Sequence, residues 1–89
     1  MVEWDRQKAD ANRLKHGVEF SDAAIALADE SAIVRADEDP NEGRYVLIGM
    51  DSLGRVVVVI YTWRDDEVRL ISARRATPRE RRQYEDRRS

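Results

Sequence analysis

The chain has 89 residues, 42% of them hydrophobic and 38% charged, with a formal net charge of -2 and a pI near 5.4. That length suits one small domain over residues 1–89, with a single core. The absence of cysteine excludes a disulfide framework, thiolate chemistry and the usual zinc sites, and a single histidine leaves no ligand cluster, so no metal and no cofactor is expected.

No apolar run approaches the roughly 18 residues of a membrane span. The opening MVEWDRQKAD has no apolar stretch that reads as a signal peptide. A cytoplasmic domain with no membrane partner is the expectation. The charge is unevenly spread. Residues 1–43 carry 5 Lys/Arg against 11 Asp/Glu, whereas residues 64–89 carry 9 against 6. An acidic pI argues against a surface coated throughout by nucleic acid, but a local basic face is compatible with it, because field focusing depends on arrangement.

In chain order, Asp5 is a natural N-cap, and RQKADANRLKH holds good helix formers until Gly17, a natural residue to end the helix. Ser21 can cap a second helix over DAAIALA. AIVRA reads as a short strand, followed by the turn-rich DEDPNEG. RYVLIGMD and RVVVVIYTW flank DSLG, the pattern of a hairpin. The second of these is apolar on both faces and is placed centrally, over residues 56–63. A tight turn at RDD leads to EVRLISARR, where alternation puts Val68, Leu70, Ser72 and Arg74 on one face. Thr77-Pro78-Arg79-Glu80 is a capping box with proline at the first helical position. The class is α+β: two N-terminal helices, an antiparallel sheet of three to four strands, and a C-terminal helix.

The last helix is polar nearly all round, with Tyr84 as its one large side chain of apolar character. It reads either as a solvated tail or as a surface for phosphate or a protein partner, its amino end lying beside Arg74 and Arg75. On the first helix Lys8, Asn12, Lys15 and His16 project from one side, leaving Leu14 and Ala11 to face the core. Asparagine is a poor choice inside a helix, which hints at a task for Asn12. His16 is the residue type that exchanges protons near neutrality, yet a KHG ending also suits a helix whose cations complete the dipole. Tyr45, Tyr61 and Trp63 lie in strands, where aromatics fill cores or stack on bases. Trp4 is placed as a staple of the first helix to the sheet.

Three stretches in series, EWDRQKADANRLKHGVEFSDA, GRVVVVIYT and RLISARRATPRERRQY, resemble the BrnT-type toxins of bacterial type II toxin–antitoxin systems. The resemblance covers nearly the whole chain. It implies a RelE-like ribonuclease fold, RNA cleavage that halts translation, and a BrnA-type antitoxin with a ribbon-helix-helix domain. DNA would then be met only through the antitoxin, as the pair represses its own operon. The pattern K-x-x-x-N-x-x-K-H-G falls on Lys8, Asn12, Lys15, His16 and Gly17, S-A-R on Ser72, Ala73 and Arg74, and E-R-x-x-Y on Glu80, Arg81 and Tyr84. The family often has a Glu-Arg pair entering the second strand. Here Gly43 precedes Arg44 and Glu42 is one position off, so the pattern carries over to Arg44 and does not carry the paired-carboxylate role to Glu42.

RNA hydrolysis without a metal needs a base for the 2′-OH, an acid for the leaving 5′-oxygen and cations for the charge between them. On the resemblance, His16, Glu80 and Tyr84 are the proton-transfer candidates, and Arg44 and Arg74 the charge-stabilising pair. Lys8, Asn12, Lys15, Arg75 and Arg81 are the expected RNA-binding residues. The alternative from another class is a non-catalytic module that holds nucleic acid or a protein on the C-terminal basic face.

Overall fold

Asp5 starts the first helix as its sequence predicts: its Oδ1 accepts from the N–H groups of Gln7 and Lys8 at 2.7 and 3.3 Å. A computed structural model gives the positions of residues 2–37 and 43–88. Residues 38–42, the middle of the DEDPNEG loop and the position of Glu42, lie outside the described residues. Helix α1 (Arg6–His16) follows a two-residue strand β1 (Val2–Glu3) and ends at Gly17. That glycine sits at φ 69° and donates its N–H to the Arg13 carbonyl. The left-handed conformation is cheap only for glycine, so KHG does end the helix.

The second helix corrects the sequence reading. Helix α2 (Phe20–Ala23) starts two residues early, after Glu19, and no side chain caps it. Packing decides its start: Phe20 and Ala23 are buried, and Trp4 meets the Phe20 ring edge-on at 6.0 Å. The backbone then tightens into a 3₁₀ helix, Ala24–Ala28. Its approach to the sheet needs Gly49, where a Cβ would stand 3.2 Å from the Ala26 carbonyl oxygen.

Four further strands, β2 (Ile33–Ala36), β3 (Arg44–Met50), β4 (Val56–Arg64) and β5 (Glu67–Arg75), complete a five-stranded sheet in the order β1-β5-β4-β3-β2. The four are antiparallel, as expected, but β1 pairs in parallel with β5 at Val2 and Val68 and makes the sheet mixed. Two residues are too few to show alternation, so β1 was not legible. Strand β4 is central. Val57, Val59 and Tyr61 pack toward α1 and α2, while Val58 faces Ile48, Ala76 and Tyr84 on the other side. The ring of Tyr61 stacks on Tyr45 at 5.5 Å, and Trp63 stays exposed near the hairpin tip.

Two side-chain expectations are overturned. Leu14 is 79% exposed and Ala11 is exposed too, while Asn12 is the residue α1 buries. In β5 the pairings Ile60 with Ser72 and Tyr61 with Leu70 leave Ile71 as an extra residue, a β-bulge. The bulge reverses the alternation. Val68, Leu70 and Ala73 therefore share the α1 side, and Ser72 and Arg74 lie on the opposite face.

Helix α3 (Pro78–Arg88) begins with the predicted capping box. The Glu80 N–H donates to Thr77 Oγ1 at 3.2 Å, and the Thr77 N–H donates to Glu80 Oε1 at 2.8 Å. It docks through Tyr84, which is 2% exposed.

Candidate nucleic-acid interface

Among the described residues β1 accompanies β5 only through Val68 and Arg69, so the later part of β5 forms a sheet edge without a neighbouring strand there. Helix α1 lies along that edge. Between them runs a groove of about 310 Å³ lined by Lys8, Ala11, Asn12, Lys15, His16, Ile71 and Ser72. Four of the site residues expected from sequence thus converge. Lys8 and Lys15 are exposed at its rim, and His16 is half-buried. Asn12 differs in kind: its Nδ2 donates to the carbonyls of Val18 and Ala73 at 3.0 and 2.8 Å, and its Oδ1 accepts from the Ala73 N–H at 3.0 Å.

Arg74 follows on the same strand but on the α3 side. Its Nη1 and Nη2 donate to the two carboxylate oxygens of Glu80 at 2.8 and 2.9 Å, and Nη1 also reaches the Arg75 carbonyl at 3.2 Å. This fork geometry is the one a phosphate would also use. The bonds from Arg74 hold the Glu80 carboxyl down at about 2, and they push the Arg74 guanidinium up. Glu80 is therefore ionised and engaged at neutral pH.

Tyr84 is sealed in. Its hydroxyl donates to Asp29 Oδ2 at 2.6 Å, and burial followed by that bond raises its pKa. Burial opposes ionisation of Asp29, but the Tyr84 hydroxyl and the N–H groups of Met50 and Ser31 outweigh it and hold its carboxyl below the usual range.

Arg44 shares a face with Arg74. The register aligns Arg74, Val58 and Ile48 in one row, with Arg69, Thr62 and Arg44 four residues along β4. Two strand spacings and four residue rises put Arg44 and Arg74 roughly 16 Å apart at Cα. They reach different parts of a polynucleotide. Between them lies the row Arg35, Val46, Ile60 and Ser72. Arg75 pairs with Val57 and by alternation faces the α1 side, while Arg81 is exposed on α3.

Sequence reasoning missed Ile71 and Ser72 as walls of the groove, Asp29 as the anchor of Tyr84, and Arg35 and Arg69 as companions of Arg44. Each depends on pairing register or on a contact distant in sequence, and no local signal marks it. Among the described residues, no group of three or more His, Cys, Asp or Glu side chains stands together in a way that could hold a metal ion. No described helix is long and apolar enough to cross a membrane.

An α+β scaffold with lysines and an imidazole along one strand edge, and arginines on the adjoining face, defines a small protein equipped to meet a polyanion. Residues 4–80 match the family described as ribonuclease toxin, BrnT, of type II toxin–antitoxin systems, and the chain belongs to that family. The resemblance carried by the three sequence stretches is thereby confirmed. Among solved structures the fold is similar to the Brucella abortus ribonuclease toxin BrnT, with a TM-score of 0.68 and 28% identity, over 85% of this chain and 95% of that one. No curated protein sequence matches the chain. Membership of the family implies an RNA target and an antitoxin partner.

Proposed function

We propose that the chain is a RelE-like toxin, one unit over residues 1–89, that cleaves RNA in the cytoplasm without a metal and so halts translation. The observation that carries this reading is the groove at the β5 edge, where Lys8, Lys15 and His16 meet with Arg74 two residues beyond Ser72. In such a step the 2′-oxygen forms a bond to phosphorus as the bond to the 5′-oxygen breaks. One proton leaves the 2′-OH and one reaches the 5′-oxygen. Of the three proton-transfer candidates, His16 alone combines a suitable group with access to the groove. Glu80 is held as a carboxylate by Arg74, and Tyr84 is turned into the α3 contact with Asp29. We therefore assign proton transfer to His16, the orienting of Arg74 to Glu80, and the docking of α3 to Tyr84.

Arg74 stabilises the charge that develops on the phosphoryl oxygens, and Arg44, on the same face, holds the RNA farther along. Lys8, Lys15, Arg75 and Arg81 supply phosphate contacts that position the strand without reading its sequence. A BrnA-type antitoxin with a ribbon-helix-helix domain neutralises the toxin, and through it the pair meets operator DNA. Incubating purified protein with RNA in EDTA, with and without the product of the neighbouring gene, tests the reading. Cleavage that the neighbour's product suppresses is expected. Binding without cleavage, with or without added divalent ions, would favour the non-catalytic module instead.

A further inference from the structure

Two polar side chains are buried among the described residues, Asp51 and Asn12. Asp51 is explained by the turn it closes, where it accepts from the N–H groups of Leu53 and Arg55 and pairs with the Arg55 guanidinium at 2.8 Å. Asn12 reaches beyond its own turn. Its amide reaches Ala73, 61 residues along the chain. There it presents one donor and one acceptor to the N–H and C=O that an additional strand would bond, while its second N–H holds the Val18 carbonyl. Burial of the amide is tolerable because both of its N–H groups and its oxygen are bonded.

His16 lies one helical turn after Asn12, and Arg74 is the residue next to Ala73. One carboxamide thus joins the helix that carries Lys15 and His16 to the strand that carries Ser72 and Arg74. We propose that Asn12 is a positioning residue: it holds His16 and Arg74 in register across the β5 edge and makes no contact with RNA. The inference rests on the reading of His16 as the proton carrier. It replaces the role expected of Asn12 from sequence, because an amide 7% exposed and bonded at every polar atom has nothing left to offer a phosphate.

The test compares Asn12→Asp, His16→Gln and the double variant, each at a temperature where circular dichroism shows it folded. Asn12→Asp keeps the size and one acceptor but turns an oxygen toward the Ala73 and Val18 carbonyls. Cleavage rates are measured alongside affinity for an RNA whose 2′-hydroxyls are replaced by hydrogen, which cannot be cleaved. Positioning predicts a rate about 10²-fold lower for Asn12→Asp, an affinity within about two-fold of wild type, and little further loss when His16→Gln is added. A wild-type rate in folded Asn12→Asp, losses that simply multiply, or weakened binding of the uncleavable RNA would each overturn it. One measurement needs no variant. The side-chain amide NMR signals of the wild-type Asn12 should keep their shifts and slow exchange when the uncleavable RNA binds, and a large shift would mark a direct contact and sink the proposal. Full activity in the single His16→Gln variant would instead overturn the reading of the site on which the inference rests.

Discussion

Arg74 and Glu80 grip each other at two points, and the grip sets what each can do. The folded Glu80 carboxyl titrates at about 2, below its ordinary 4.5. Its contribution to stability is therefore fully present above about 4.5 and is lost as pH falls from there toward 2. Glu80→Gln, which keeps the capping side of the residue, should cost on the order of 1 kcal/mol at pH 7, the modest scale of a partly exposed pair. In urea melts that gap should close near pH 2. A gap of the same size at acid pH would mean the ion pair is not what was lost. Arg74→Ala should slow cleavage by roughly 10²–10³-fold, and it should also lower the melting temperature, because the half-buried Glu80 loses its bidentate partner. Unimpaired cleavage by the folded variant would remove Arg74 from the site. His16→Gln should slow cleavage by roughly 10²–10⁴-fold with little change in stability. At this scale the K-x-x-x-N-x-x-K-H-G pattern names four residues that line one wall of the groove. The buried role of Asn12 stayed hidden because its partner, Ala73, is a backbone on another element.

Elements with strong local chemistry were legible. Asp5, Gly17, the DSLG hairpin and the Thr77–Glu80 capping box each satisfied backbone groups within a few residues, and each stands where the sequence put it. What packing decides was not legible: the start of α2 at Phe20, the parallel β1, and the bulge at Ile71 that sends Leu70 and Ser72 to opposite faces. The β4–β5 hairpin gives a direct test of the element-level account. Asp65 and Asp66 form its two-residue turn at φ 52° and 68°, where glycine is at ease and a second carboxylate adds repulsion. Asp66→Gly should raise stability by about 0.5–1 kcal/mol, and a lowered denaturation midpoint would contradict this turn geometry. Helix α3 has little apolar surface and is anchored through Tyr84. Removing the hydroxyl with Tyr84→Phe leaves Asp29 one donor short and should cost about 1–3 kcal/mol. Amide exchange in α3 should speed up with it. If α3 exchange is unaltered, the Asp29 contact is not what holds the helix.

Across the whole molecule, an acidic first half and a basic last third combine to a net charge of only -2. Affinity for RNA should therefore come from the cations around β5 and weaken steeply with salt, as counterion release requires. An antitoxin that covers the same edge would compete with RNA. The central claim is that the family's ribonuclease chemistry is carried out here by side chains alone, through the 2′-hydroxyl. It is tested most directly by cleavage of a defined RNA in EDTA, compared with the same RNA carrying a single 2′-deoxy residue at the cut position. The account predicts cleavage of the first at an undiminished rate and none at the altered position of the second. Loss of cleavage in EDTA that returns with added divalent ions, or cutting at the 2′-deoxy residue, would contradict it.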